Sequence, residues 1–195
     1  MRGFLGLDSR LLFTALVGSI ALLRLAELRL ARRHYAALIA GGGREVAPGH
    51  YRVMVLLHAG FLLACPLEVW LLGRPLRPSL TLAMLAALAL AMGLRYWAIA
   101  TLGERWTTRI VCLPGAPAVV RGPYRWIRHP NYLAVVIEMA ALPLVHGAWA
   151  SAAVFSLANA LVLRVRIGAE ERALASCSDY AAAFAGRPRL VPGRR

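Results

Sequence analysis

The sequence predicts an all-α integral membrane helical bundle of about five transmembrane helices, forming one domain over residues 1–195. Three observations predict it. Hydrophobic residues make up 59% of the 195 positions and charged residues only 16%. Mean hydropathy is +0.60, whereas an ordinary soluble domain is about 45–50% apolar and about 25% charged. Apolar runs of bilayer-crossing length recur along the chain, and the remaining charges gather between them. A soluble globule of this size has too little interior to hide so much apolar surface. Composition therefore sets aside a disordered chain, a secreted disulfide scaffold and a soluble Rossmann enzyme.

Five stretches follow in order, each judged against the roughly 20 residues needed to cross about 30 Å of hydrocarbon. Leu11–Leu30 comes after Arg2 and Arg10, as the core of a signal peptide would. No small-residue cleavage site follows, and Arg24, Glu27 and Arg29 continue a helical pattern, so it reads as an uncleaved anchor. Val53–Leu72 and Ser79–Ala100 also reach crossing length. Tyr132–His146 is short, and Pro143, His146 and Gly147 leave only a tight link to Trp149–Ile167, so the last two helices read as a packed hairpin. Residues 1–101 hold the first three helices, and residues 102–195 form the second half.

The connections differ in character. Gly41–His50 is a turn-rich loop; its three adjacent glycines permit close backbone approach to a ligand, or serve as a flexible connector, but lack the GxGxxG spacing of a nucleotide site. Gly103–Pro130 is too long and too patterned for a mere link. The 23 basic residues, all arginine, face nine acidic ones for a formal charge of +14. That balance would raise nucleic acid as a partner, but these arginines sit between apolar runs rather than along one stripe, which points to membrane topology.

Arg29, Arg32, Arg33 and Arg44 follow the first helix, Arg105 to Arg128 the third, and Arg172 to Arg195 the last. The opposite side carries Arg2, Arg10, Arg74 and Arg77. The positive-inside rule then puts the N-terminus outside and the C-terminus in the cytoplasm. An arginine- and alanine-rich, lysine-free chain points to a GC-rich bacterium, hence to a bacterial inner membrane. Cys65, Cys112 and Cys177 form no ligand spacing, so neither a metal site nor a disulfide framework is expected.

The densest polar group is Arg121-Gly-Pro-Tyr-Arg-Trp-Ile-Arg-His-Pro-Asn-Tyr132. Gly122-Pro123 imposes a turn, and Pro130 suits the first turn of a helix, which leaves Arg128 and His129 at its mouth. Free N–H groups there, with Arg125 and Arg128, would attract an anion such as a carboxylate. The same arginines would also suit lipid phosphates, and Trp126 and Tyr132 would suit a membrane interface.

A second group, Arg164, Arg166, Glu170, Glu171 and Arg172, closes the last helix. Arg166 and Glu170 are spaced to pair, and Arg164 and Glu171 share a stripe. The hairpin brings both groups to one mouth. Glu138, seven residues beyond Asn131, is either a functional acid at membrane depth or the partner of Arg95. His58, Glu68 and His146 read as packing or boundary residues.

GPYRWIRHPNY followed about 40 residues later by RIGAEERAL resembles the C-terminal half of the isoprenylcysteine carboxyl methyltransferase family, itself similar to the phospholipid methyltransferases. Leu102-Gly103-x-x-Trp106, Tyr180 and the closing Arg189-Leu-Val-Pro192 are similar to further family elements, so the resemblance runs from about Leu102 to Pro192. It implies a membrane methyltransferase whose cofactor, S-adenosyl-L-methionine, lies in a cytoplasmic pocket built by the last two helices. The resemblance implies that Gly122, Pro123, Tyr124, Arg128, His129, Tyr132 and Glu170 bind the cofactor. It also implies that Arg166 and Glu171 serve the reaction centre. Phe184 stands where the family often has a second tyrosine.

The family's acceptor is a prenylated cysteine carboxylate, which is ionised near neutral pH and needs no general base. A phenolic lipid would need one, and a phospholipid amine is a further alternative. Membrane sterol reductases, which use NADPH, resemble the same helix pair, and a non-catalytic lipid-binding protein is a rival from another class. The expected partners are the bilayer and a lipid or lipidated small-molecule acceptor.

Overall fold

The structure is a computed structural model that describes residues 8–191. Arg2, Pro192, Arg194 and Arg195, named above, lie outside them. Among the described residues the chain forms α1 (Ser9–Ala40), β1 (Arg44–Val46), α2 (Gly49–Leu72), α3 (Pro78–Leu102), β2 (Ile110–Cys112), α4 (Pro130–Leu144), α5 (Trp149–Cys177) and the single turn α6 (Tyr180–Ala183). Short 3-10 turns cover Gly103–Arg105 and Gly122–Arg125.

The fold is the expected helical bundle, with four helices long and apolar enough to cross a membrane. The fifth, α4, has 15 residues and would rise about 22 Å, well short of a full crossing. Both α1 and α5 run further than their apolar cores. Once started, a helix continues through charged residues such as Ala31–Ala40, and hydropathy does not register that extension.

Local chemistry sets the ends. The Asp8 carboxylate caps α1 by accepting from the Arg10 N–H at 2.9 Å. Proline stands in the first turn of α3 and α4, where its missing N–H costs nothing. Gly73 ends α2 in the left-handed region, φ +58°.

Phe13, Val17 and Ile20 of α1, Phe61 and Val69 of α2, and Val135, Met139 and Leu142 of α4 share one buried core. Leucines such as Leu56, Leu82 and Leu90 point outward with more than 70% exposure. An apolar surface of this kind is suited to lipid.

Two polar devices lock the bundle. At membrane depth, Arg95 Nη2 donates to Glu138 Oε2 at 2.6 Å. Arg95 Nη1 reaches Glu27 at 3.5 Å, and Arg24 pairs with Glu27. Glu138 is thus the partner of Arg95, within a quartet that joins α1, α3 and α4.

At the opposite end from the β-strands, Glu68 of α2 accepts from the N–H groups of Ala150 (3.1 Å) and Ser151 (2.7 Å) and pairs with Arg74. A carboxylate from one helix therefore caps the N-terminus of another. Glu68→Ala is expected to cost about 1–2 kcal/mol, the range for a lost cap. A lowered melting temperature in detergent checks this; an unchanged melt removes Glu68 from that role.

The two strands were not anticipated. They pair antiparallel with Glu45 opposite Val111, so the Gly41–His50 loop is half of a small two-stranded cover. Gly43 N donates to Leu38 O at 2.8 Å, folding the glycines back on α1. Arg109 fastens the cover, donating to Glu45 at 2.7 Å with its guanidinium over the Tyr35 and Tyr51 rings.

The expectation for the cysteines is corrected at one pair. The packing of β2 on α5 brings Cys112 and Cys177, 65 residues apart, into a disulfide with Cα atoms separated by 6.1 Å. Cys65 remains a buried free thiol.

Candidate functional site

The site forms where the N-terminus of α4 meets the C-terminal third of α5. Tyr132 is one turn into α4 and buried. Its hydroxyl accepts from Arg166 Nε at 2.8 Å and donates to the Glu170 carboxylate. The sequence spacing led to the expectation of a direct Arg166–Glu170 pair. Instead the phenol of Tyr132 stands between them, because α4 packs close enough to α5 to insert it. Arg166 is 3% exposed, and its Nη2 donates to the Thr108 carbonyl at 2.7 Å. The guanidinium is held from two sides, which leaves Nη1 for a ligand.

Glu171, the next residue, faces a different set of partners. It accepts from Arg189 at 2.7 Å and lies 3.3 Å from His129 Nε2 and 3.4 Å from Arg128 Nη1. The two polar groups read from the sequence therefore do converge. Two arginines and a histidine surround one carboxylate, giving the corner an excess of basic groups. Glu171 does not contact Arg166.

The chain's final described segment straps this corner. The N–H groups of Arg128 and His129 donate to the carbonyls of Pro188 and Arg189, each at 3.0 Å. Arg128 Nε donates to Arg187 O at 2.7 Å, and Arg187 Nη1 to Tyr124 O at 3.0 Å. Ala118 N donates to Asp179 Oδ1 at 2.6 Å, fixing the upstream loop against the start of α6.

A cavity of about 510 Å³ lies beside these groups, within the range of small-molecule sites. Tyr124, Arg128, His129, Tyr132, Arg166 and Glu170 line it, whereas Gly122, Pro123 and Glu171 do not. Gly122 has a backbone role. Its φ is +56°, and a Cβ there would collide with the Thr101 side chain. Pro123 is buried in the same turn. Arg125 is exposed and stacks on Trp126 rather than facing the cavity.

The cavity wall also contains Asn131, whose Oδ1 is buried without a partner. In the sequence it serves only to set the register of Glu138; its place after His-Pro on the first turn of α4 is the signal for a site role. Tyr180 and Phe184 form a second wall, ring centres 4.7 Å apart. The Tyr180 hydroxyl is buried and unpartnered among the described residues. Burial, followed by the nearby Glu171 and Glu170 charges, raises the Tyr180 phenol above its ordinary pKa, so it stays protonated as a donor. Burial raises Tyr124 likewise. No metal-binding cluster occurs among the described residues.

The comparisons agree with this architecture. Residues 82–176 match the isoprenylcysteine carboxyl methyltransferase family, a span that contains α4, most of α5 and the Arg166–Tyr132–Glu170 chain. YpbQ, an uncharacterized protein of Bacillus subtilis, is 36% identical over 164 residues, covering 84% of this chain and 96% of that protein. An uncharacterized protein of Haemophilus influenzae is 30% identical over 156 residues, covering 80% and 90%. With its helices, its paired polar groups and these matches in agreement, the chain belongs to the isoprenylcysteine carboxyl methyltransferase family of membrane methyltransferases.

Proposed function

We propose that the protein transfers a methyl group from S-adenosyl-L-methionine to a lipid-like acceptor that reaches the site from the bilayer. The observation that carries the reading is the convergence of Arg128, His129 and Glu170 with the buried Arg166–Tyr132 pair on one cavity. That cavity also extends between α1, α2 and α3, where Leu25, Val55 and Leu62 line it. One arm is polar and the other carries much apolar lining, as a charged cofactor and a lipid would require. Both halves of the chain contribute, which supports a single domain of residues 1–195 with its methyltransferase core in residues 102–195.

The residues fit the cofactor. The basic corner of Arg128, His129 and Arg189 is only partly neutralised by Glu171, so it has room for the methionine carboxylate. Glu170 would face the positive end, Tyr180 has an unused hydroxyl for a polar edge, and the Tyr180–Phe184 wall suits an aromatic base. When bound, S-adenosylmethionine supplies an electrophilic methyl on a sulfonium. The protein's own task is alignment in a dry site. Arg166 is fixed by Tyr132 and Thr108 to receive the acceptor oxygen through Nη1.

Two acceptor classes suit this centre. A carboxylate such as that of a prenylated cysteine arrives ionised and needs only Arg166. A phenolic lipid must lose a proton, and the Glu170 carboxylate on the cavity wall, bridged to Arg166 through the Tyr132 hydroxyl, would be the base at hand. That bridge is the observation favouring the second class. Arginine placement supports a cytoplasmic site in a bacterial inner membrane, and the B. subtilis and H. influenzae relatives are consistent with a bacterial source.

The test is radiolabelled methyl transfer by the purified protein in nanodiscs, with total membrane lipid and a farnesylcysteine analogue as acceptors, alongside calorimetric titration with S-adenosylmethionine and NADPH. Label in the organic phase with saturable S-adenosylmethionine binding is the expected result. Tight NADPH binding without S-adenosylmethionine binding would replace this reading with a reductase.

A further inference from the structure

The inner arm of the cavity is not purely apolar. Arg24 and Glu27 of α1, His58 of α2 and Arg95 of α3 line it at membrane depth. The quartet that includes Glu138 joins three helices, yet it leaves polar atoms unused. Arg95 Nε, Arg24 Nε and Glu27 Oε1 are buried and have no hydrogen-bond partner among the described residues. Arg24 Nε lies 3.5 Å from Glu138 Oε1 without forming a hydrogen bond. Arg95 is only 5% exposed.

A network serving packing alone would satisfy its members, because each orphaned group is costly in a low-dielectric interior. Here two donors and one acceptor remain, on residues that face a cavity.

Resting on the methyltransferase reading above, the geometry points to a polar subsite for a second, uncharged hydrogen-bonding group of the acceptor. The subsite lies deeper than the methylated atom. Glu138 follows Tyr132 by six residues on α4, so the quartet lies about 9 Å further along the helix than the Arg166–Tyr132 centre. Two arginines and two glutamates already balance, and a further ion would be buried without a counter-charge. A hydroxyl suits the site because it accepts from an arginine Nε and donates to Glu27 Oε1. A plain hydrocarbon tail in this arm would leave all three atoms unsatisfied. The acceptor is therefore an amphipathic lipid with a neutral polar group within its apolar part, rather than a simple prenyl chain.

The experiment measures equilibrium binding of two radiolabelled probes to the full-length protein in nanodiscs. One probe is 3-pentadecylphenol; the other is the same phenol with a chain hydroxyl placed so that the two oxygens stand roughly 9 Å apart when extended. The wild type is expected to bind the hydroxylated probe about tenfold more tightly, the equivalent of about 1.4 kcal/mol.

In the double variant Arg24→Met with Glu27→Leu, which keeps the Arg95–Glu138 pair and leaves Arg95 Nε as the one remaining donor of the three atoms, the ratio of the two dissociation constants should fall at least threefold. Should that variant fail to give a monodisperse protein, Glu27→Gln is expected to lower the ratio at least threefold. A wild-type ratio near one, a ratio that survives substitution, or no binding of either probe would overturn the subsite. Methyl transfer from S-adenosylmethionine, assayed on the same samples, is a separate readout. Its absence with the binding ratio intact would remove the methyltransferase reading and leave the subsite standing.

Discussion

Arg166→Ala is expected to lower methyl transfer by roughly 10²–10³-fold, while S-adenosylmethionine affinity, measured by calorimetry, should change by less than about threefold. The magnitude follows from what the side chain does. In the proposed mechanism a buried guanidinium held by Tyr132 and Thr108 would receive the acceptor oxygen, and losing a buried charged hydrogen bond costs about 3–4 kcal/mol. Arg166→Lys does not rescue it. An ammonium has no planar fork and cannot satisfy the Tyr132 hydroxyl, the Thr108 carbonyl and a ligand from one face. The measurement is kcat with a saturating lipid acceptor. Wild-type turnover in either variant would take Arg166 out of the mechanism and leave it a packing residue.

The second large effect belongs to Glu171, and it has a different signature. Glu171 does not line the cavity; it gathers Arg128, His129 and Arg189 and in the proposed site would act as a positioning residue. In Glu171→Ala three basic groups lose their shared anion, and the terminal strap loses its one contact through the Arg189 side chain while its backbone hydrogen bonds remain. KM for S-adenosylmethionine is expected to rise by roughly 10- to 100-fold, with a much smaller fall in kcat. Glu171→Gln keeps one accepting oxygen but turns the other into a donor that faces basic partners, so it should recover only part of the affinity. A loss confined to kcat would place Glu171 at the reacting atoms instead.

The legible parts of this molecule were those whose signal is local. Apolar length marked the bundle, and the RHPNY and EE groups could be brought to one mouth because a hairpin with a four-residue turn leaves little freedom. The Arg95–Glu138 pair was open to reasoning because an unpaired ion at that depth is so costly. What escaped depends on contacts distant in sequence. The strands β1 and β2 have three residues each, too few for a period-two pattern to register.

The Cys112–Cys177 proximity follows from β2 lying on α5, which no spacing reveals. The phenol between Arg166 and Glu170 depends on how closely two helices approach. The overlooked site atoms, Asn131 Oδ1 and those of Arg24 and Glu27, were visible only as polar residues in apolar surroundings. Their shared cavity could not be inferred from one helix at a time.

The brevity of α4 has an energetic consequence for any acceptor. Arg166 lies seventeen residues into α5, about 25 Å along its axis, while the hydrocarbon slab is about 30 Å deep. The shortness of α4 brings its first turn to that level, which in the proposed orientation would lie toward the cytoplasmic edge of the acyl region. A lipid reacting there keeps its tail dissolved throughout turnover. Lifting a fifteen-carbon chain into water would demand about 12 kcal/mol, at about 0.8 kcal/mol per methylene. An enzyme that meets its substrate at this depth is spared that extraction work.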